Sequence, residues 1–321
     1  MGMMPSPYGT QLPYEEKDTK VVGTNPKERP DAVDKVTGRA RYAADINLPG
    51  QLIGKVLRSP HAHANIKSID TSAAEALDGV KAVVTSADFP DQPVLHASGG
   101  EIMINFRDVT RNMMAREKAL YDGHPVAAVA ATSESIAKAA MKLIKVDYEV
   151  LPHVIEVVAA MAEDAPLLNE EQFTRGIEPA PEKPSNIAAR MVTKLGDAEA
   201  GFKAADLVIE REFDTKAAHQ GYIEPHASIA NYTEGGNAEV WTSTQGHYMN
   251  RAQTAKVLEM DMSKIKVMPA EIGGGFGGKN LIYLEPLAIR LSQKSQRPVK
   301  MAMTRDEVFR ASGPTSGTNI K

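Results

Sequence analysis

The sequence predicts a compact α/β unit in its first half and a second unit of mixed strands and helices beyond a proline-rich link. Three observations carry this. Strand-like and helix-like stretches alternate up to about residue 155, an order that builds α/β units. Pro166, Pro179, Pro181 and Pro184 then stand among charged residues, the punctuation of a linker. With 42 % of its 321 residues hydrophobic and 24 % charged, the chain can bury a sizeable core as an ordinary globular protein.

Residues 1–29 are rich in Pro, Gly, Lys and Glu without an apolar period and read as an extended arm. Apolar alternation starts near Arg39, and 51–57 reads as a strand. Ser72-Ala73-Ala74-Glu75 has the form of a capping box, opening a short helix that Gly79 stops. A strand at 81–85 follows, then a loop-rich stretch over 88–116 and a buried strand at 125–130. Ser133 opens a helix with Ile136, Ala139, Ala140, Leu143 and Ile144 on its apolar side, and 146–150 is a further strand. This first domain spans 30–155 and the linker 156–186.

In the second part, 187–321, strands are expected at 205–213 and 227–244, the latter folded at Glu234-Gly235-Gly236-Asn237. Residues 247–260 read as a helix, 265–272 as a strand, 281–295 as a helix and 298–303 as a last strand. Lys321 follows without a cap or tail, as expected of a domain read only in part.

Composition removes several function classes. There is no cysteine, so disulfides, thiolate nucleophiles, Cys-type zinc sites and iron–sulfur clusters held by this chain are excluded. A net charge of −4 disfavours nucleic acid as partner. The N-terminus lacks the cationic and apolar regions of a secretory signal, and 125–143 is too polar for a membrane span. A soluble cytoplasmic protein is expected.

Two local features carry chemistry. Gly273-Gly274-Gly275-Phe276-Gly277-Gly278-Lys279-Asn280 lies between a strand and a helix. Its glycines expose backbone N–H groups that can cradle an anion or oxo group; the plainer reading is a packing turn. Gly273, Gly275 and Gly278 also satisfy the dinucleotide fingerprint. Pro269, Pro286 and the absence of an acidic residue about 20 positions on argue against that use. The second feature is Trp241-Thr242-Ser243-Thr244-Gln245, where Gln245 ends a strand with an uncharged amide that both donates and accepts. His61 and His63 alternate as a possible metal pair without a third ligand, more simply a loop pair, so no metal ligand is assigned. Glu224 and His226 read either as acid–base partners or as structural residues near the site.

Together these features resemble the molybdenum hydroxylases, the xanthine dehydrogenase and aldehyde oxidase family, in the N-terminal portion of their molybdopterin-binding large subunit. Arg29-Pro30-Asp31-Ala32-Val33-Asp34-Lys35-Val36-Thr37-Gly38, Tyr42-Ala43-Ala44-Asp45-Ile46 and Arg58-Ser59-Pro60-His61-Ala62-His63-Ala64 are similar to the family's first signatures. Tyr121-Asp122-Gly123-His124-Pro125-Val126-Ala127 and Val146-Asp147-Tyr148-Glu149 resemble later segments of the same domain. Ile223-Glu224-Pro225, Ser243-Thr244-Gln245 and the 273–279 loop resemble the opening of the molybdenum domain.

The resemblance implies an α+β chain: an a/b hammerhead domain followed by the first part of a molybdopterin-binding domain. It implies a molybdenum–molybdopterin cofactor, in bacteria often the cytosine dinucleotide form, that hydroxylates an electron-poor carbon with oxygen from water. Electrons then leave through Fe–S clusters to FAD on other subunits. Carried over by position, Gln245 contacts a metal oxo ligand and is the catalytic candidate. Gly274, Gly275, Phe276 and Gly277 hold the cofactor, and Asn280 faces the substrate. Asn280 stands where purine-oxidising relatives usually carry glutamate, which points to another N-heterocycle, an aldehyde or an aromatic acid derivative. The family's catalytic glutamate lies in a later portion, so the expected partners are a second molybdenum-domain chain, a 2Fe–2S subunit and an FAD subunit. A reductive relative of the hydroxybenzoyl-CoA reductase type, and a non-catalytic scaffold or truncated fragment, are the alternatives.

Overall fold

The computed structural model describes residues 29–98 and 103–321. They fall into two compact units, one ending at Arg41 and one running from Tyr42 to Lys321. In the first, the helix Ala32–Val36 follows Asp31, whose carboxylate accepts from Arg29 (2.6 Å) and from Lys35. The arm expected over 1–29 lies outside the described residues except for Arg29.

In the second unit seven strands form the main sheet: β1 (Leu52–Arg58), β2 (Val80–Thr85), β3 (Pro125–Ala131), β4 (Ala227–Tyr232), β5 (Ala238–Thr242), β6 (Ile265–Pro269) and β7 (Val299–Ala302). Their order is β6-β5-β4-β7-β1-β3-β2. Strands from either side of the proline-rich link therefore share one sheet. They join where β1 and β7 run parallel, Leu52 opposite Val299 and Gly54 opposite Met301. Gly54 is required there, because a Cβ would stand 2.6 Å from Cγ of Met301. A smaller sheet pairs Ala64–Asp70 with Lys118–Ala119 and Lys145–Val150.

Helices cover both faces of the main sheet: α1 (Phe106–Met113), α2 (Glu134–Leu143), α3 (His247–Leu258) and α4 (Glu285–Ser295), with α5 (Arg305–Ala311) after β7. The all-buried strand β3 shows the two-sided packing. Ala128 and Ala130 enter the large core with Leu287 and Leu291 of α4, whereas Ala127 and Val129 enter a smaller cluster with Ala140 of α2. Alternation at period 2 sends successive side chains to opposite faces, and small alanines let both helical layers approach. Each fully buried leucine of α4 contributes about 1.5–3 kcal/mol.

Several expectations need correction. The stretch 88–116 contains α1, capped by Asn105, whose side chain accepts from the Arg107 amide. The turn Ser72–Glu75 is preceded by Thr71 rather than capped by Ser72, and the Ser72 amide donates to Asp70. The strand expected over 205–213 is ordered only at Phe213–Thr215, which pairs with Thr318–Ile320. The helix expected from 281 starts at Glu285, with Pro286 in its first turn, where its missing N–H breaks no helical bond.

Candidate functional site

The two sequence features meet because β5 and β6 run parallel, with α3 as their crossover. Parallel strands place the loops after their C-terminal ends side by side, the usual location of a site in such sheets. β5 releases Ser243, Thr244 and Gln245; β6 releases the glycine loop. Buried Ser243 accepts from the Ala227 amide through Oγ (3.1 Å), and Thr244 Oγ1 donates to the Lys279 carbonyl (3.2 Å). This fixes the strand end that carries exposed Gln245.

Gln245 then organises the loop. Its Oε1 accepts from the amides of Gly277 (2.9 Å) and Lys279 (3.2 Å), while its backbone amide donates to the Lys279 carbonyl (3.1 Å). The glycines serve two separate needs. Gly274 and Gly277 have φ of +99° and +90°, which only glycine adopts readily. At Gly275 a Cβ would lie 2.5 Å from Gln245 Oε1, at Gly273 2.6 Å from Cβ of Glu224, and at Gly278 2.8 Å from Cε1 of Tyr222. Non-glycine Phe276 also sits at positive φ, +47°, with its ring 73 % exposed.

The consequence is an edge of unused donors. Among the described residues, the consecutive amides of Gly274, Gly275 and Phe276 make no hydrogen bond, and neither does Nε2 of Gln245. Because Oε1 is committed to the loop, the free end of this side chain is a donor. Successive backbone N–H groups in a loop that alternates handedness form an anion-binding concavity. The loop is a packed turn, with Gly275 and Gly278 buried, that also carries unpartnered amides at 274–276 among the described residues. It does not serve as a dinucleotide fingerprint: the next helix begins only at Glu285, and the space at Gly273 and Gly278 is filled by protein side chains.

Behind the loop lies a polar core. Glu224 Oε2 accepts from the Gly273 amide (2.7 Å) and from Lys279 Nζ (2.6 Å), tying both ends of the loop to one carboxylate. Lys279 is fully buried, with Nζ 4.9 Å from the centroid of the Tyr222 ring. Burial lowers the Lys279 pKa, and Glu224 opposes that shift. A second chain of contacts links His226 Nε2 to Tyr222 OH (2.6 Å), Tyr222 OH to Ser312 Oγ (3.0 Å), and His219 Nε2 to Ser312 Oγ (2.9 Å). Ser312 Oγ donates to the Val308 carbonyl (2.6 Å). Every contact is satisfied if neutral His226 donates to Tyr222, Tyr222 to Ser312 and His219 to Ser312, an assignment made from the network. Burial, then the nearby Lys279 charge, pushes His226 down to about 3, so it is neutral at physiological pH.

Gln245, Gly274, Gly275, Phe276 and Gly277 thus come together, with Asn280 exposed at the loop's end. Among the described residues no group of three or more His, Cys, Asp or Glu side chains is placed to hold a metal. His63 Nδ1 bonds the Pro152 carbonyl (2.8 Å) and His61 meets Tyr148 edge-on. Glu224 and His226 belong to different networks, so they are not acid–base partners. Sequence reasoning missed the anchoring roles of Lys279 and Tyr222. The signal available was a lysine closing a glycine run and an aromatic two residues before Glu224.

Two family models match the chain in order. Residues 37–152 match the aldehyde oxidase and xanthine dehydrogenase a/b hammerhead domain, and residues 179–321 the molybdopterin cofactor-binding domain. The chain belongs to the xanthine dehydrogenase and aldehyde oxidase family. Its fold is accordingly a hammerhead domain followed by part of a molybdopterin-binding domain, of mixed α+β structure.

A probable xanthine dehydrogenase component of Bacillus subtilis is 34 % identical over 301 residues, covering 91 % of this chain and 36 % of that one. The nicotinate dehydrogenase large molybdopterin subunit of Eubacterium barkeri is 32 % identical, covering 91 % and 63 %. Among solved structures, quinoline 2-oxidoreductase from Pseudomonas putida superposes with a TM-score of 0.73 at 29 % identity, over 91 % of this chain and 35 % of that one. Aldehyde oxidoreductase from Desulfovibrio gigas does so with 0.75 at 27 %, over 90 % and 31 %. The chain thus spans about a third of the length of most of these relatives.

The cofactor of this family fits the residues present in one specific way. Gln245 Nε2 and the amides of 274–276 are neutral hydrogen-bond donors, suited to the oxo or sulfido periphery of a molybdenum group. Residues of this kind would supply contacts to the group, not ligands to its metal.

Proposed function

We propose that this chain is the molybdopterin-binding component of a heteromeric molybdenum hydroxylase acting on an N-heterocycle, an aldehyde or an aromatic substrate. The observation that carries the reading is the row of unused donors from Gly274 to Phe276 beside Nε2 of Gln245. When bound, the molybdenum–pterin group supplies the two-electron redox centre for hydroxylation with oxygen from water. In this reading Gln245 donates to an oxo ligand, the catalytic contact of this chain. Gly274, Gly275 and Phe276 offer their amides to the cofactor, and the Phe276 ring keeps water from its edge. Gly277 acts indirectly, because its amide holds Gln245 Oε1 and so aims Nε2. Donors fixed before the reaction stabilise developing charge without reorganising.

Asn280 faces the substrate as an uncharged donor and acceptor. The names of the relatives, which include nicotinate, quinoline and aldehyde enzymes, support those substrate classes. The cofactor, in the cytosine dinucleotide form, is shared with a second molybdenum-domain chain, and Fe–S and FAD lie on other cytoplasmic subunits. No helix among the described residues is long and apolar enough to cross a membrane. On this reading the chain alone holds little molybdenum and has no hydroxylase activity.

The test is elemental analysis of the intact assembly purified through this chain, with a substrate screen over N-heterocycles and aldehydes. Molybdenum, iron and flavin together with hydroxylation of one class are expected. In that assembly Gln245→Ala should slow turnover far more than it lowers soluble yield. An assembly without molybdenum, or equal losses of protein and activity, would refute the reading.

A further inference from the structure

Glu285 opens α4 with only 5 % of its surface exposed. Among the described residues its partners are all neutral. Oε1 accepts from Thr242 Oγ1 (2.6 Å) and Asn250 Nδ2 (2.9 Å), and Oε2 accepts from the Tyr283 amide (2.9 Å). A carboxyl group buried without a cation is costly unless its hydrogen bonds are made. An acidic residue in the first turn of a helix serves that helix when exposed, so the helix alone does not account for this burial. The three partners come from the segments that bracket the site. Thr242 ends β5 and Asn250 lies in α3, one on either side of Gln245, and both are buried. Tyr283 lies on the chain that leaves the glycine loop. One carboxyl group thus ties both flanks of Gln245 to the exit of the loop that Gln245 itself grips.

We propose that Glu285 is a positioning residue: by fixing β5 and α3 against the exit of the glycine loop, it sets the direction of Gln245 Nε2 toward the cofactor. This role rests on the proposed function of Gln245 and adds a residue that acts through it. The aim of Nε2 follows from Oε1, which the Gly277 and Lys279 amides hold from across the gap between two chain segments. When those segments shift, the amide pivots, and a displacement of about 1 Å in a reacting group can cost about 100-fold in rate. The donor set also says which substitution keeps the tie. Asn250 Oδ1 is buried without a partner, so this amide can turn over and accept instead. The side chain of Glu285→Gln then accepts from the Tyr283 amide and donates to Asn250 and to Thr242 Oγ1, which keeps the Ala227 carbonyl (3.1 Å) as its own acceptor. Glu285→Ala removes all three contacts.

The test reads hydrogen–deuterium exchange, molybdenum content and steady-state kinetics in the intact assembly purified through this chain, with Glu285→Ala, Glu285→Gln and Thr242→Val. Glu285→Ala should speed exchange over 273–280 by at least about tenfold while β1 and β3 exchange as before. It should also lower kcat per molybdenum by about 10–100-fold at unchanged KM, the mark of a contact made in the transition state. Glu285→Gln should recover most of both losses. Thr242→Val keeps the side chain's shape and removes one contact, so it should move both readouts the same way by less, and it carries the test where Glu285→Ala does not fold. Faster exchange throughout the chain, with melting lowered in step, would make Glu285 a structural residue and overturn the proposal. Glu285→Gln behaving as Glu285→Ala would overturn it as well. Molybdenum present with exchange over 273–280 unmoved would overturn the role of Glu285 alone. An assembly without molybdenum would overturn the proposed function and this role together.

Discussion

Residues 219–226 and 188–218 adjoin in sequence, yet the first stretch buries Tyr222, Glu224 and His226 behind the glycine loop while the second buries nothing. The usual distribution is inverted. Charged and polar groups lie inside where a loop must be held still, and leucines and isoleucines lie outside where a surface is left open. Buried charge is costly without a partner, and Glu224, Lys279 and the Gly273 amide supply one another's. The interior of this region holds the glycine loop and Gln245 in place, and the exterior is apolar and exposed among the described residues.

The largest expected effect comes from breaking the buried pair. Glu224→Ala leaves the Lys279 ammonium inside without a counter-charge and should cost about 3–5 kcal/mol in denaturant unfolding. Glu224→Ala combined with Lys279→Met should cost clearly less than the sum of the single changes, because the stranded charge is gone. Next is acid sensitivity. Burial holds His226 down to about 3 and His124 to about 4, against an ordinary 6.5. Below about 6.5 the unfolded chain takes up protons that the folded chain refuses. Stability is therefore whole above that pH and lost as pH falls toward 4, by up to about 1.4 kcal/mol per pH unit for each histidine. His226→Gln should flatten part of that slope in unfolding measured from pH 8 to 4.

Gly275→Ala sharpens the link between packing and aim. Its Cβ would meet Gln245 Oε1 at 2.5 Å, so a loss of about 1–3 kcal/mol is expected, with weaker cofactor retention in the assembly. The smallest effect belongs to the outer region. Leu207→Glu or Ile209→Glu in the isolated chain should change stability by about 0.5 kcal/mol or less, and a large loss in thermal unfolding would show that the segment packs on its own chain.

Much of this was legible in the residues. Glu234-Gly235-Gly236-Asn237 forms the turn between β4 and β5, with Gly236 at φ +78°. Ser133 caps α2 by accepting from the Ile136 amide. Gln245 and the 273–279 loop were readable as a candidate site because their chemistry is local, and the structure brings the two together. The union of β1 with β7 was not, since that pairing joins Leu52 to Val299 and no local pattern encodes a partner so distant. Helix α1 was hidden because its buried residues Phe106, Thr110 and Met113 include only two apolar ones among arginines. Lys279 was missed because a lysine reads as solvated until Glu224 is seen against it. The strand expected over 205–213 survives only from Phe213, which pairs with Ile320; the Leu207-Val208-Ile209 run and Arg211 break the alternation before it.

The account stands most directly on where the metal lies. Crystals of the intact assembly, measured with anomalous scattering at the molybdenum absorption edge, should place the metal within reach of Gln245 Nε2 through one of its ligands, with the amides of 274–276 facing the same group. A molybdenum peak elsewhere, with the glycine loop turned to solvent, would contradict it.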